Sequence, residues 1–295
     1  MRVFLTGATG FIGSRIVLEL LAAGHQVIGL ARSDAGAQSL TAIGAQVHRG
    51  TLEDPDSLYA GANAADAVIH TAFDHDFSQF SANCEKDRLA IDSLGAALKG
   101  SKRPLLITSG TGMGDNHDGR PATEAVFDAH NPNPRRASEL AGQVWLDAGV
   151  DVRVIRLPQV HDRVKQGVVS LYVEVSRQKG VAAYIGEGAN RWPAGHVQDV
   201  AKLYVLALDK GKCGARYHAV AEEGIPVCDI ATVIGARLGV PVASLSAEEA
   251  PAHFGWLAMF AEHDLSASSI WTRQQLGWEP TAPGLIDDLQ SMHYS

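Results

Sequence analysis

Short apolar runs recur along the first half of the chain, and stretches with helical spacing separate them. The runs lie at 3–5, 25–30, 45–48, 65–70, 104–108 and 152–157. Helices are predicted between them over 15–23, 38–43, from 55 onward, 78–99 and 134–148. Strands that alternate with helices in this way pair in parallel through right-handed crossovers. The pattern therefore predicts an α/β fold, a doubly wound and mostly parallel Rossmann sheet.

The second half of the chain alternates less regularly. Strands are predicted over 181–185 and 215–220, and helices over 167–179, 197–209, 226–238, 272–276 and 285–292. We predict that residues 1–160 form a nucleotide-binding domain of six or seven strands, to which 195–220 return. Residues 161–194 and 221–295 are then expected to form a smaller C-terminal substrate lobe.

Three glycines at three-residue spacing follow the first apolar run. Gly7 permits a tight turn, Gly10 lets the backbone approach a pyrophosphate, and Gly13 lets the following helix pack close to the sheet. The start of that helix offers unpaired amides and the positive end of its dipole to phosphate oxygens. The predicted pyrophosphate loop also contains Thr9, Phe11 and Ile12. A strand, this turn and a helix together predict a dinucleotide site.

The residues just past the second strand predict which dinucleotide binds. An acidic residue there holds the ribose 2′-hydroxyl of NAD, whereas an arginine accommodates the 2′-phosphate of NADP. Arg32 comes first, with Ser33 as a second phosphate donor, and Asp34 is the competing ribose carboxylate. We therefore expect NADP (NADPH). The alternative is that Arg32 is a solvated surface charge.

Composition and charge limit the classes of binding partner that we expect. The chain has 295 residues, 46% of them hydrophobic, and a net charge of −8, so nucleic-acid and anionic-membrane partners are not expected. Cys84, Cys213 and Cys228 are widely spaced, which indicates free thiols in a reducing cytoplasm and no metal site. No signal peptide or membrane-spanning run is visible. A homodimer is possible.

Polar and flexible residues follow several predicted strands, and in such sheets ligands bind at the carboxyl edge. Candidate cofactor contacts there are Thr51, Leu52, Thr71, Ala72, Phe73, Leu157, Pro158 and Val160. Ser109 and Thr111 follow the fifth strand as candidate substrate contacts. His75, between two aspartates in the loop after the fourth strand, is either a proton-transfer group or a polar loop cap.

The chain resembles the extended short-chain dehydrogenase/reductase superfamily, in its epimerase/dehydratase-like branch. The motifs that carry the resemblance lie at 6–13, 68–72, 106–111, 156–158, 195–199 and 276–280. The resemblance implies a serine, a tyrosine, and a lysine four residues after the tyrosine as the catalytic set. Ser109 falls at the position of the family's serine.

The tyrosine and lysine of that set are missing here. Arg135 stands at the tyrosine position and Glu139 at the lysine position. An arginine stays protonated, so it cannot act as the acid, although it can stabilise a developing oxyanion. Glu139 can pair with Arg135 or bind a ribose hydroxyl. The candidates for the proton donor are His75, His161, Tyr172, Tyr184 and water held by Ser109 and Thr111.

These features predict an NADP-dependent oxidoreductase that moves hydride between nicotinamide and a small carbonyl or alcohol substrate. A non-catalytic NADP sensor and a nucleotide-sugar epimerase or dehydratase are the alternatives. Arg191 and Trp192 either hold an aromatic or anionic substrate or belong to the core. The aromatic stretch 253–260 is core, the lining of an apolar pocket, or a dimer contact.

Overall fold

The computed structural model describes residues 1–292, apart from the side chain of Met259. Its strands are β1 (Arg2–Thr6), β2 (Gln26–Ala31), β3 (Gln46–Arg49), β4 (Ala67–His70), β5 (Pro104–Gly110), β6 (Asp151–Leu157), β7 (Gln159–His161), β8 (Ala182–Ile185), β9 (Arg191–His196), β10 (Arg216–His218), β11 (Glu222–Pro226) and β12 (Val242–Leu245). Residues 293–295 of the predicted lobe lie outside the described residues.

The helices are α1 (Phe11–Ala22), α2 (Asp34–Ala42), α3 (Pro55–Asn63), α4 (Phe80–Leu98), α5 (Arg136–Asp147), α6 (Val168–Lys179), α7 (Val197–Lys210), α8 (Val227–Leu238), α9 (Ala250–Phe254), α10 (Ala258–Ala261), α11 (Ile270–Leu276) and α12 (Leu285–Ser291). Short 3-10 turns lie at Phe77–Gln79, Thr111–Gly114 and Gly255–Leu257. In the part of the chain that the structure describes, no helix is long and apolar enough to cross a membrane.

Seven parallel strands form the central sheet in the order β10-β6-β5-β4-β1-β2-β3. The chain winds outward from β1 in one direction and then returns to continue from β4 in the other. This order confirms the predicted doubly wound sheet. It also places the switch in winding direction between β1 and β4, where ligands bind in such folds. The glycine turn and the loop after β4 both lie at that point.

Apolar layers cover both faces of the central sheet. One is built around α1 and α7, and the other around α4 and α5, with residues such as Ile16, Val200 and Leu94 fully buried. A third core, around Trp192 and Ile230, forms within the C-terminal part of the chain. The C-terminal part therefore has an apolar core of its own beside the sheet.

The strands of the C-terminal part were only partly predicted. β9 lies between β11, to which it is antiparallel, and β7, to which it is parallel, while β12 pairs with β8. Of these strands, only β8 matches a predicted run. β9 contains Pro193, which has no amide hydrogen to donate and weakens the sequence signal for a strand.

Two local features fix the ends of elements near the site. α2 begins at Asp34, earlier than predicted, because the Ser33 hydroxyl accepts a hydrogen bond from the Gly36 amide at 3.1 Å. After α11, the buried Trp278 indole donates to the Asp199 carbonyl at 2.9 Å. The tail is thereby anchored to α7.

Candidate functional site

The glycine turn after β1 is shaped by close backbone contacts. Gly7 has a φ of +71°, and a Cβ there would lie 2.7 Å from the Ala72 nitrogen. A Cβ on Gly13 would lie 2.0 Å from the Gly7 carbonyl oxygen. Because the first amides of a helix have no intrahelical partner, those of Phe11 and Ile12 are available to phosphate oxygens. The turn therefore forms a cradle that fits a pyrophosphate.

Basic residues lie at the end of β2, where an adenosine ribose would bind. Arg32 is exposed, and Arg49 stands beside Ala31 in the parallel register of β2 and β3. Arg49 donates to the Ser33 carbonyl at 2.6 Å and to the Asp34 carboxylate at 2.7 Å. The carboxylate that competes for the ribose is therefore neutralised by a neighbouring cation. Sequence reasoning missed Arg49, although it directly follows the predicted third strand.

The other predicted cofactor contacts lie along the same edge. The Thr71 hydroxyl donates to the Thr6 carbonyl at 2.8 Å, and the Ala72 amide donates to the Thr6 hydroxyl at 3.3 Å. These bonds hold the loop after β4 against the glycine turn. Half-buried positions among the predicted contacts are Thr51, Leu52, Thr71, Ala72, Phe73, Leu157 and Pro158, whereas Val160 is buried and Thr9 is exposed.

Arg135 points inward at the base of α5. It donates to the Asp87 carboxylate at 2.7 Å and to the Thr108 carbonyl at 2.8 Å. Its guanidinium carbon lies 4.2 Å from the centre of the Phe73 ring. The charge of Arg135 therefore joins α4 to β5.

A buried hydrogen-bonded chain continues from Asp87 toward the glycine turn. His70 donates from Nε2 to Asp87 at 3.0 Å, and its Nδ1 accepts from the Thr6 hydroxyl at 2.6 Å. Ser138 also donates to Asp87, at 2.5 Å. Burial alone would raise the pKa of Asp87, but the charge of Arg135 and the bond from His70 outweigh it and hold that pKa below its usual value. The sequence analysis did not single out Asp87. The feature that could have indicated it is a carboxylate within a long predicted helix.

Glu139 has a structural role that differs from the predicted one. It is buried, and Arg156 donates to both of its oxygens, at 2.8 and 2.9 Å. Arg216 donates to one of the same oxygens at 2.9 Å. With both oxygens bonded to arginines in the core, Glu139 neither pairs with Arg135 nor reaches a cofactor ribose. The predicted ribose contact is therefore wrong.

Ser109 has a buried hydroxyl that is not satisfied within the protein. Its side chain is 3% exposed, and its Oγ has no hydrogen-bond partner among the described residues. Buried hydroxyls are normally bonded, so an orphan of this kind at the carboxyl edge of a sheet is suited to a ligand oxygen. Thr111, also buried, begins the 3-10 turn that follows β5.

His75 lies in the loop after β4. Its ring meets the Phe73 ring edge-on, with 5.5 Å between the ring centres. The residue is exposed, but the protein around its ring partly desolvates it, and this desolvation, followed by the nearby charge of Lys165, lowers the pKa of His75 below its usual value. The imidazole is therefore neutral near pH 7 and poorly suited to donate a proton. Lys165 itself lies 5.8 Å from the centre of the Phe11 ring.

The other groups considered as acids are engaged elsewhere. The buried Tyr172 hydroxyl donates to the Ala183 carbonyl, and burial raises its pKa. Tyr184 packs in the C-terminal core. His161 bonds to Asp288 at 2.7 Å in the protein interior.

Of the two interpretations of the Arg191–Trp192 pair, the core interpretation is correct. Trp192 is fully buried, and its indole donates to the Phe260 carbonyl at 3.1 Å. Arg191 pairs with Asp264 at 2.9 Å. Neither side chain is free to hold an aromatic or anionic substrate.

The sheet and its glycine cradle define a Rossmann-type nucleotide-binding protein. A model of the NAD dependent epimerase/dehydratase family matches residues 3–220, and the chain belongs to that family. An uncharacterized protein of Schizosaccharomyces pombe is 48% identical over 295 residues, which is the full length of both chains.

The chain is also similar to a more distant relative and to a solved structure. The chain is 25% identical to a 4-hydroxy-2-methyl-3-oxo-4-farnesyl-3,4-dihydroquinoline-1-oxide ketoreductase of Stigmatella aurantiaca, with 88% of this chain and 82% of that protein covered. A dTDP-glucose 4,6-dehydratase from Streptomyces venezuelae, solved with NAD bound, has a similar fold. Its TM-score is 0.76, its identity is 22%, and 98% of this chain and 95% of that chain are covered.

Proposed function

We propose that the protein is an NADP-dependent oxidoreductase that transfers hydride between nicotinamide and a small carbonyl or alcohol compound. The observation that carries the proposal is the orphan hydroxyl of Ser109, buried at the same sheet edge as the glycine cradle. Related proteins that include a ketoreductase are consistent with it. When bound, the dinucleotide supplies the hydride that no side chain can provide.

The chain's own residues hold the reactants in this proposal. The amides at the start of α1 bind the pyrophosphate, and Arg32 together with Arg49 binds the 2′-phosphate. The Ser109 hydroxyl donates to the carbonyl oxygen of the substrate and orients it. Since His75 is neutral near pH 7, the proton is taken from water held by Ser109 and Thr111.

Arg135 acts as a positioning residue. Through the Thr108 carbonyl it fixes the end of β5, and through Asp87 and His70 it fixes the end of β4. A tyrosine at this position could not neutralise the buried carboxylate. In this proposal, Arg135 therefore maintains the shape of the site in place of the family's tyrosine.

The proposal is tested by titrating NADPH and NADH into the pure protein by calorimetry. The absorbance of the reduced cofactor is then followed with a panel of aldehydes, ketones and imines. We expect tighter binding of NADPH and turnover with at least one member of the panel. Tight NADPH binding without any turnover supports a regulatory NADP sensor, which the missing tyrosine favours. Preference for NADH contradicts the roles of Arg32 and Arg49.

A further inference from the structure

A row of aromatic side chains begins in the loop after β4. They form what we call the aromatic wall: Phe73, His75, Phe77 and Trp256. The ring centres of His75 and Phe77 are 6.2 Å apart. Phe77 and Trp256 are stacked almost in parallel, with 4.7 Å between ring centres and 12° between ring planes. The wall therefore runs without a break from the loop after β4 to the 3-10 turn Gly255–Leu257 of the C-terminal part.

The aromatic wall is not part of the core. Trp256 is 45% exposed, and His75 is exposed, while Phe73 and Phe77 are only half-buried. None of the four belongs to the buried clusters on which the fold depends. A cluster of partly exposed aromatic rings outside the core is typical of a binding surface for apolar or flat ligands.

Arg135 links the wall to the end of β5. Phe73 lies against the Arg135 guanidinium at 4.2 Å, and Arg135 donates to the carbonyl of Thr108, the residue before Ser109. Lys165 lies 5.8 Å from the centre of the Phe11 ring, and its charge also acts on His75. We therefore expect that a ligand whose oxygen is held by Ser109 extends toward the rings, with Arg135 and Lys165 as the nearby cations.

We propose that the aromatic wall binds a flat aromatic ring of the substrate, so that the substrate class is a ketone or aldehyde that contains an aromatic ring. The proposal rests on the proposed function, because Ser109 holds the carbonyl oxygen in both. Aromatic rings gain an additional stabilisation from offset-stacked and edge-on contacts that saturated rings do not gain. The wall supplies both contacts, from Trp256, whose partly exposed ring is stacked on Phe77, and from His75 as an edge.

The test compares two ketones with the same bicyclic carbon skeleton, 2-tetralone, which contains an aromatic ring, and 2-decalone, which is saturated. Calorimetry measures their dissociation constants with wild-type protein in the presence of NADP⁺. The variants are W256L, F77L and the conservative W256F. The control is W271L, since Trp271 is also partly exposed and stacked, on Tyr217 at 5.6 Å, but lies at the β10 edge of the sheet.

We expect 2-tetralone to bind about tenfold more tightly than 2-decalone. We expect W256L and F77L to weaken 2-tetralone binding about fivefold to tenfold, and W256F and W271L to change it less than twofold. In turnover assays W256L should raise KM and leave kcat nearly unchanged. Equal affinities for the two ketones overturn the proposal, as does a loss in W271L that equals the loss in W256L.

A third ligand and a separate titration distinguish the possible failures. UDP-glucose binding that depends on Trp256 would assign the wall to a nucleotide base and overturn the proposal. If wild-type protein binds neither NADPH nor NADH, the proposed function fails, and the ketone titration without cofactor still decides the role of the wall. If NADPH binds and 2-tetralone does not, only the aromatic substrate class is wrong.

Discussion

At the scale of single residues, the contacts of Arg135 determine how its neighbours are used. The sequence predicts this arginine at the place of the family's catalytic tyrosine. Its charge is matched by Asp87, which is 1% exposed. In the proposed mechanism the substrate is held by the Ser109 hydroxyl, whose Oγ has no hydrogen-bond partner among the described residues.

Replacing this serine should reduce turnover and not folding. Ser109→Ala removes the donor to the carbonyl oxygen, and we expect kcat to fall about 10²-fold while NADPH affinity stays unchanged. Steady-state kinetics and calorimetry measure the two quantities. Ser39→Ala is the control, because that exposed hydroxyl bonds only within α2, to Ala35 at 2.9 Å. Unchanged turnover in Ser109→Ala would remove the serine from the proposed mechanism.

The arginines at the end of β2 should determine the choice of cofactor. Arg32→Ala and Arg49→Ala each remove a charged donor to the 2′-phosphate, so KM for NADPH should rise about tenfold or more, with little change for NADH. Arg2→Ala is the control, since Arg2 lies at the amino-terminal end of β1, away from the carboxyl ends of the strands. Equal effects on NADPH and NADH would contradict a 2′-phosphate contact.

At the scale of elements, the structure could be predicted from the sequence best where close backbone contacts permit only one residue type. The glycines of the first turn, and the helix that follows, could be predicted because only glycine fits contacts as close as those of Gly7 and Gly13. The partners of Glu139 could not be predicted. They are Arg156 on β6 and Arg216 on β10, and these strands come together with α5 only after the whole sheet has formed.

The buried triad of Glu139 makes a prediction about stability. Glu139→Gln removes the carboxylate that pairs with Arg156 and Arg216, so the free energy of unfolding should fall by about 3–5 kcal/mol. Urea denaturation measures the change. Glu174→Gln, which breaks an exposed ion pair with Arg177, should cost less than about 1 kcal/mol.

The same variant also separates the structural role from the ribose contact that was first expected. Folded Glu139→Gln should bind NADPH within about twofold of wild type, because the carboxylate lies in the core. A large loss of NADPH affinity without a loss of stability would restore the ribose contact.

At the scale of the whole molecule, sequence order predicts the central sheet better than the remaining strands. Consecutive strands joined by helices have few ways to pair, so the pattern predicted a doubly wound parallel sheet, and the order of β1 to β6 came from the structure. The strands of the C-terminal part pair with partners distant in sequence, as in the antiparallel register of Trp192 with Ile225. Their alternation is short and is interrupted by proline, so nothing local indicates which strand is adjacent.

His218 connects the sheet to the C-terminal segment and should make the stability of the whole chain depend on pH. Its Nδ1 donates to the Ser268 carbonyl at 2.9 Å, and its Nε2 accepts from Arg156 at 3.3 Å. Burial, and then the charge of Arg156, lower the pKa of His218 from 6.5 to about 3. A proton on Nε2 would face a guanidinium and would remove the acceptor.

The sign of this dependence follows from the lowered pKa. Above pH 6.5 the histidine is neutral in both folded and unfolded chains, so its contribution to stability is fully present. As the pH falls from 6.5 toward 3, the unfolded chain takes up a proton that the folded chain excludes. Between about pH 7.5 and about pH 4.5, urea denaturation should show a loss of roughly 2–3 kcal/mol from this group. His218→Gln should remove this loss from the pH dependence of the free energy of unfolding. His130→Gln, at an exposed side chain, should leave the pH dependence unchanged. If the free energy of unfolding depends on pH equally in all three proteins, His218 accepts the proton within the folded structure. The C-terminal segment then does not depend on the neutral form of His218.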